Sequence, residues 1–143
     1  MIKKNKSVDF VNKNLSLKDK QLTRNMLKEW LVQIQQDSPL PYEIKNIYFI
    51  VDFANNDIEI SYSASDIDLK VFDYGFYQPL DAEYFFCLPL KKLAKKMPQK
   101  KSKPAKEQVF KFLKELCLSV CNSLDFLQHK RIFVGERFDS IKE

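Results

Sequence analysis

Ile47-Tyr48-Phe49-Ile50-Val51-Asp52-Phe53, then Ala54-Asn55-Asn56-Asp57, then Ile58-Glu59-Ile60-Ser61-Tyr62-Ser63: this stretch decides how the chain folds. Asn55-Asn56 suits a two-residue primed turn, because asparagine tolerates positive φ better than most residues. Such a turn predicts a β-hairpin that pairs Phe53 with Ile58, Val51 with Ile60 and Phe49 with Tyr62. Side chains alternate along a strand, so these pairs form one apolar face. The same register sets Asp52 directly opposite Glu59 on the other face, with Asp57 nearby. Like charges opposed across two strands destabilise them, so this pair points to something outside the fold that favours negative charge there.

Upstream of the hairpin, Ser16-Leu17-Lys18-Asp19 has the form of a capping box. It opens a helix with Leu22, Met26, Leu27, Trp30, Leu31 and Ile34 at helical spacing, and Pro39 and Pro41 stop it. Residues 1–15 read as a loose N-terminus. Downstream, Asp68-Leu69-Lys70-Val71-Phe72 reads as a third extended segment. A loop from Asp73 to Pro79 and a further strand from Ala82 to Leu88 follow. Pro89 opens a short helix with Leu90, Leu93, Ala94 and Met97 on one side, and Pro98 ends it. Residues 98–103 read as an exposed basic connector. Pro104 opens the longest helix, to about Gln128, on the period of Val109, Leu113, Leu116, Cys117, Val120, Leu124 and Leu127. Arg131 to Phe138 is the last strand. This order predicts one α+β domain over residues 1–143, with an antiparallel or mixed sheet of about five strands and two main helices packed on one face.

The chain of 143 residues is 45% hydrophobic and 13% aromatic, enough to bury a core in one domain. Its two glycines leave no material for a loop that cradles phosphate by close backbone approach. The single histidine, His129, is expected to cap the long helix at its C-terminus, where a cation suits the helix dipole. Cys87, Cys117 and Cys121 have no metal or disulfide spacing, and Cys117 and Cys121, one helical turn apart, read as buried thiols. The residues therefore point to no cofactor, no metal and no catalytic set. Met1-Ile2-Lys3-Lys4 starts basic but no apolar segment follows, so a cytoplasmic protein without a membrane span is expected.

Charge is segregated along the chain. Residues 91–106 hold eight lysines and no acid, whereas ten acids and two lysines lie between Asp37 and Glu83. An acidic face of Asp52, Asp57, Glu59, Asp66, Asp68 and Asp73 is expected to steer a basic partner. Tyr74, Phe76 and Tyr77, crowded around Gly75 among acids, are candidate anchors for the same partner, or core aromatics tucked under the sheet edge. Lysines outnumber arginines 21 to 3, and the basic segment contains neither arginine nor an aromatic residue. That composition suits phosphate neutralisation better than base readout, which leaves nucleic-acid association as an alternative. A weaker alternative is a magnesium-dependent nuclease, in which Asp68-Leu69-Lys70 and an upstream Asp57 or Glu59 would share a cation.

In its order of elements the chain resembles the small cytoplasmic immunity proteins of bacterial polymorphic toxin and contact-dependent inhibition systems. The features that carry the resemblance are the helix around Trp30, the hairpin Ile47–Tyr62, the run Asp81-Ala82-Glu83-Tyr84-Phe85-Phe86, the helix from Pro104 and the closing Ile132-Phe133-Val134. The resemblance implies a protein with no enzymatic activity of its own. It implies one cognate toxin, often a basic nuclease, bound tightly and blocked.

Overall fold

The computed structural model describes residues 10–53, 57–73, 77–79, 84–97 and 103–141. The capping box forms as the sequence predicts. The Ser16 hydroxyl accepts the Asp19 N–H at 3.0 Å, and the Asp19 carboxylate accepts the Ser16 N–H at 3.5 Å. It opens α2, Leu17–Asp37. Leu27, Leu31 and Ile34 of α2 are buried, while Leu22 of the same stripe faces solvent. Ahead of α2, a short helix α1 (Phe10–Asn14) occupies part of the stretch expected to be loose. Val11 and Leu15 anchor it in the core, and the Phe10 N–H donates to Gln108 Oε1 at 2.9 Å.

β1 (Asn46–Asp52) and β2 (Glu59–Ser65) pair antiparallel in the register worked out from the sequence, with Phe49 opposite Tyr62, Val51 opposite Ile60 and Asp52 opposite Glu59. β3 (Arg131–Glu136) lies parallel to β1 on its other side, giving, among the described residues, a mixed sheet of three strands in the order β2-β1-β3. α3 (Leu88–Lys96) and α4 (Lys103–Asn122) connect β2 to β3. The inward residues of α2 and α4 share one core with Phe49, Val51, Ile60 and Tyr62, so the two long helices cover a single face. Trp30 of α2 meets Tyr62 edge-on at 6.5 Å and Phe85 at 5.5 Å, which fastens that helix to the sheet.

The sheet is smaller than the five strands expected. Among the described residues, segment 68–72 joins another extended segment through the bridge Val71–Ser140, and the strand expected at 82–88, of which 82 and 83 lie outside the described residues, touches β2 through Ile60–Phe85. The reason is visible in the hydrogen bonds. Side chains of β1 take the backbone of the 67–69 segment that a neighbouring strand would otherwise use. Asn46 Nδ2 donates to the Ile67 carbonyl at 3.0 Å, and the Tyr48 hydroxyl accepts the Leu69 N–H at 3.1 Å. The segment thus crosses the second face of the sheet. Leu69 and Phe72 cover Tyr48, Ile50 and Phe133 there, together with Ile141. On the β2 side, Tyr77 pairs with Ala64, but Pro79 follows two residues later and has no N–H to continue a ladder.

The helix expected to be the longest, α4, stops earlier than expected, at Asn122, and its 20 residues fall short of the 21 of α2. Leu124 is extended (φ −114°, ψ 119°), and a 3₁₀ turn follows at Asp125–Leu127. Ser123 Oγ donates to the Val120 carbonyl at 2.7 Å and Gln128 Nε2 to the Asn122 carbonyl at 2.7 Å, which satisfies terminal carbonyls that further helix would have used. His129 consequently sits in the turn before β3 and caps no helix.

Candidate partner-binding surface

The hairpin places Asp52 and Glu59 side by side because each ends its strand in a seven-residue ladder. Burial, then the charges of Asp52 and Asp57, push the Glu59 carboxyl above the usual carboxylate range. Asp52 has a counter-charge on its other side. The parallel register sets Glu136 beside Val51, so the next residue, Arg137, reaches Asp52 at 4.0 Å and Asp73 at 3.9 Å.

The six acids do not form one face. Asp52, Asp57, Glu59 and Asp73 gather at the turn end of the hairpin. Asp66 and Asp68 follow Ser65, which pairs with Asn46 at the opposite end of β1. Seven residues of strand separate the two ends, about 20 Å. Asp68 Oδ1 accepts Asn46 Nδ2 at 3.1 Å and Arg131 at 3.1 Å. Among the described residues no three His, Cys, Asp or Glu side chains converge as a metal site would need.

Tyr77 belongs to the scaffold. Its backbone exchanges both hydrogen bonds with Ala64, and its half-buried hydroxyl donates to the Ser38 carbonyl beyond α2. Burial raises its phenol accordingly. Tyr74 and Phe76 lie outside the described residues. The three cysteines are buried free thiols. Burial pushes Cys121 up to about 12 and raises Cys117 and Cys87 as well, so none is poised as a nucleophile.

Two features were missed by reading the sequence. Arg131 and Arg137, two of only three arginines, bracket β3 and supply the counter-charges to Asp68, Asp52 and Asp73. The signal was their position at the two ends of a predicted strand. The second feature is on α3. Leu88, Lys91, Lys92, Lys95 and Lys96 stand at i, i+3, i+4, i+7 and i+8 and are all exposed, opposite the buried Leu90 and Leu93. Tyr84 and Phe86, in mutual ring contact at 6.4 Å, are exposed just before this stripe. No helix among the described residues is long and apolar enough to cross a membrane. Comparison with protein-family models, with curated proteins and with solved structures finds no match for this chain.

Proposed function

We propose that this chain is a protein-binding module that works as an immunity protein, binding a cognate toxin with a basic surface and occluding it without chemistry of its own. The observation that carries this reading is the Asp52–Glu59 opposition. The fold places two carboxylates across a strand pair, adds Asp57, and leaves Glu59 with a raised carboxyl. A cation from a partner relieves that repulsion, so complex formation gains what the free protein forgoes. The acidic end accelerates encounter, and salt weakens it. A toxin nuclease, basic because it binds phosphates, fits this surface.

The test uses the tagged chain against proteins of its native host, with a triple variant Asp52→Asn, Asp57→Asn, Glu59→Gln as control. One dominant basic protein should be retained, released by salt, and bound about tenfold or more weakly by the triple variant, since close charge pairs across interfaces couple by more than 1 kcal/mol. Equal retention by both forms overturns the acidic-end mechanism.

A second reading is favoured by the α3 stripe. Four exposed lysines with Tyr84 and Phe86 beside them are suited to single-stranded nucleic acid, phosphates on the lysines and bases on the rings. Fluorescence anisotropy with a labelled oligonucleotide decides it. Salt-dependent binding, lost in Lys91→Glu/Lys95→Glu and weakened in Phe86→Ala, selects this reading; no binding at low salt removes it.

A further inference from the structure

The two edges of the sheet are treated differently. On β2, the outward-facing Ala64 exchanges N–H and C=O bonds with Tyr77 at 3.0 and 2.9 Å, and the Ile60 carbonyl accepts the Phe85 N–H at 2.9 Å. That edge is bonded at both Ala64 and Ile60. On β3, the Arg131 N–H donates to the Lys45 carbonyl at 2.8 Å and the Arg137 N–H to the Val51 carbonyl at 3.1 Å. Backbone groups alternate sides along a strand, so Arg131, Phe133, Gly135 and Arg137 face β1 while Ile132, Val134 and Glu136 face outward. A turn closes the far end, where the Glu136 carbonyl accepts the Asp139 N–H at 3.1 Å. Ile132 and Val134 keep two N–H and two C=O groups that no backbone group among the described residues pairs.

This edge lies along the floor of a groove of about 540 Å³. Its α4 wall is formed by Phe110 and Lys114, and its opposite wall by Phe72, Asp139 and Ser140. Lys106, Phe110 and Lys114, four residues apart, make one ridge of α4. Lys106 is held by Glu136 at 3.3 Å, whereas Lys114 is exposed and makes no ion pair among the described residues. The edge is recessed because α4 side chains stand on one side of it and Phe72, Asp139 and Ser140 on the other. Two equally recessed β3 edges do not approach to the roughly 4.8 Å that pairing requires, whereas a single extended segment does.

We propose that the β3 edge receives an extended segment of a partner protein by strand addition, with a carboxylate side chain toward Lys114 and a cationic side chain toward Asp139. The segment closes the free groups of Ile132 and Val134. Alternate side chains of the segment then meet Phe110 on one wall and Phe72 on the other, which is how strand addition combines main-chain affinity with side-chain selectivity. The two charges at opposite ends fix its direction. The proposal deepens the protein-binding reading and is independent of the acidic hairpin end.

The test uses the full chain and a blocked synthetic octapeptide of alternating threonine and valine, with glutamate near one end and lysine near the other. Amide resonances of Ile132 and Val134 are followed by NMR, and affinity is measured by titration. Val134→Pro and Ile132→Pro each remove one outward N–H and no bond of the β1 ladder. Ile132 is near the start of the strand, where proline is best tolerated. Saturable shifts confined to the groove, weakened about tenfold by either proline in a variant that keeps its native amide dispersion, support the proposal. So does severalfold weakening by Lys114→Glu that an octapeptide with lysine in place of the glutamate reverses. Absence of saturable shifts, or shifts indifferent to both prolines, overturns it. A concentration-dependent dimer in sedimentation that Val134→Pro abolishes also overturns it, by giving the edge to a second copy. None of these outcomes depends on Asp52, Asp57 or Glu59, so a failure here is distinct from a failure of the acidic-end mechanism.

Discussion

Gly135 lies beneath the ring of Phe72, so close that a Cβ on residue 135 would collide with Phe72 Cε2, Cδ2 and Cζ. The backbone there is not left-handed. The glycine is needed for proximity, because Phe72 is the lid that the crossing segment lays over the second face of the sheet.

Gly135→Ala is therefore expected to cost about 2 kcal/mol, the scale of overpacking a closed core, and to lower the melting temperature by about 6 °C. In the background of Phe72→Ala the same substitution should cost much less. A double-mutant cycle by thermal melting checks the coupling, and additive effects would show that the ring moves aside freely.

Glu59→Gln should stabilise the free protein by about 0.5 kcal/mol at neutral pH, the scale of a like-charge cross-strand pair. The sign follows from its raised carboxyl. The folded state keeps that proton to higher pH than the unfolded state does. Stability is lost as pH rises from about 4.3 through the folded value, and the penalty remains above it. Urea denaturation between pH 4 and 7 checks this: the variant should show a flatter loss with rising pH than the parent.

Ser16→Ala should cost about 1 kcal/mol, since the hydroxyl is the acceptor for an N–H at the start of α2. Asp19→Ala breaks the reciprocal half of the box, and the double variant should cost less than the sum of the two. Chemical denaturation of the three variants measures it.

A thiol reagent at pH 8 should label none of Cys87, Cys117 and Cys121 in the folded chain, because each is buried and its thiolate disfavoured. Labelling should appear only at the rate of unfolding, and in denaturant all three should react together. Mass spectrometry over time reads this directly; fast reaction of Cys117 in native buffer would mean α4 opens locally.

The hairpin register was legible because two local signals agreed, the turn residues Asn55-Asn56 and the period-two pattern from Phe49 to Tyr62. The α2 cap was legible for the same reason: its residues are neighbours. What escaped was long-range. Asp52 meets Arg137 through a parallel pairing across more than eighty residues, and nothing near either residue encodes it. The Asp68–Phe72 segment has the composition of a strand, yet Asn46 and Tyr48 capture the adjoining backbone with side-chain hydrogen bonds and carry it over the sheet face. The candidate acidic face was overdrawn for a related reason. Charges close in sequence, Glu59 and Asp66, end up at opposite ends of one strand.

The central position of β1 also has a consequence for how the chain comes to be folded. One neighbour, β2, is supplied within a dozen residues, but the other, β3, follows only after α3 and α4 have been made. Until then the most apolar strand of the protein has one side open to any passing extended chain, a hazard that high contact order prolongs. Helix α4 is made before β3 and packs on the same core, so it can shelter that side while β3 is awaited.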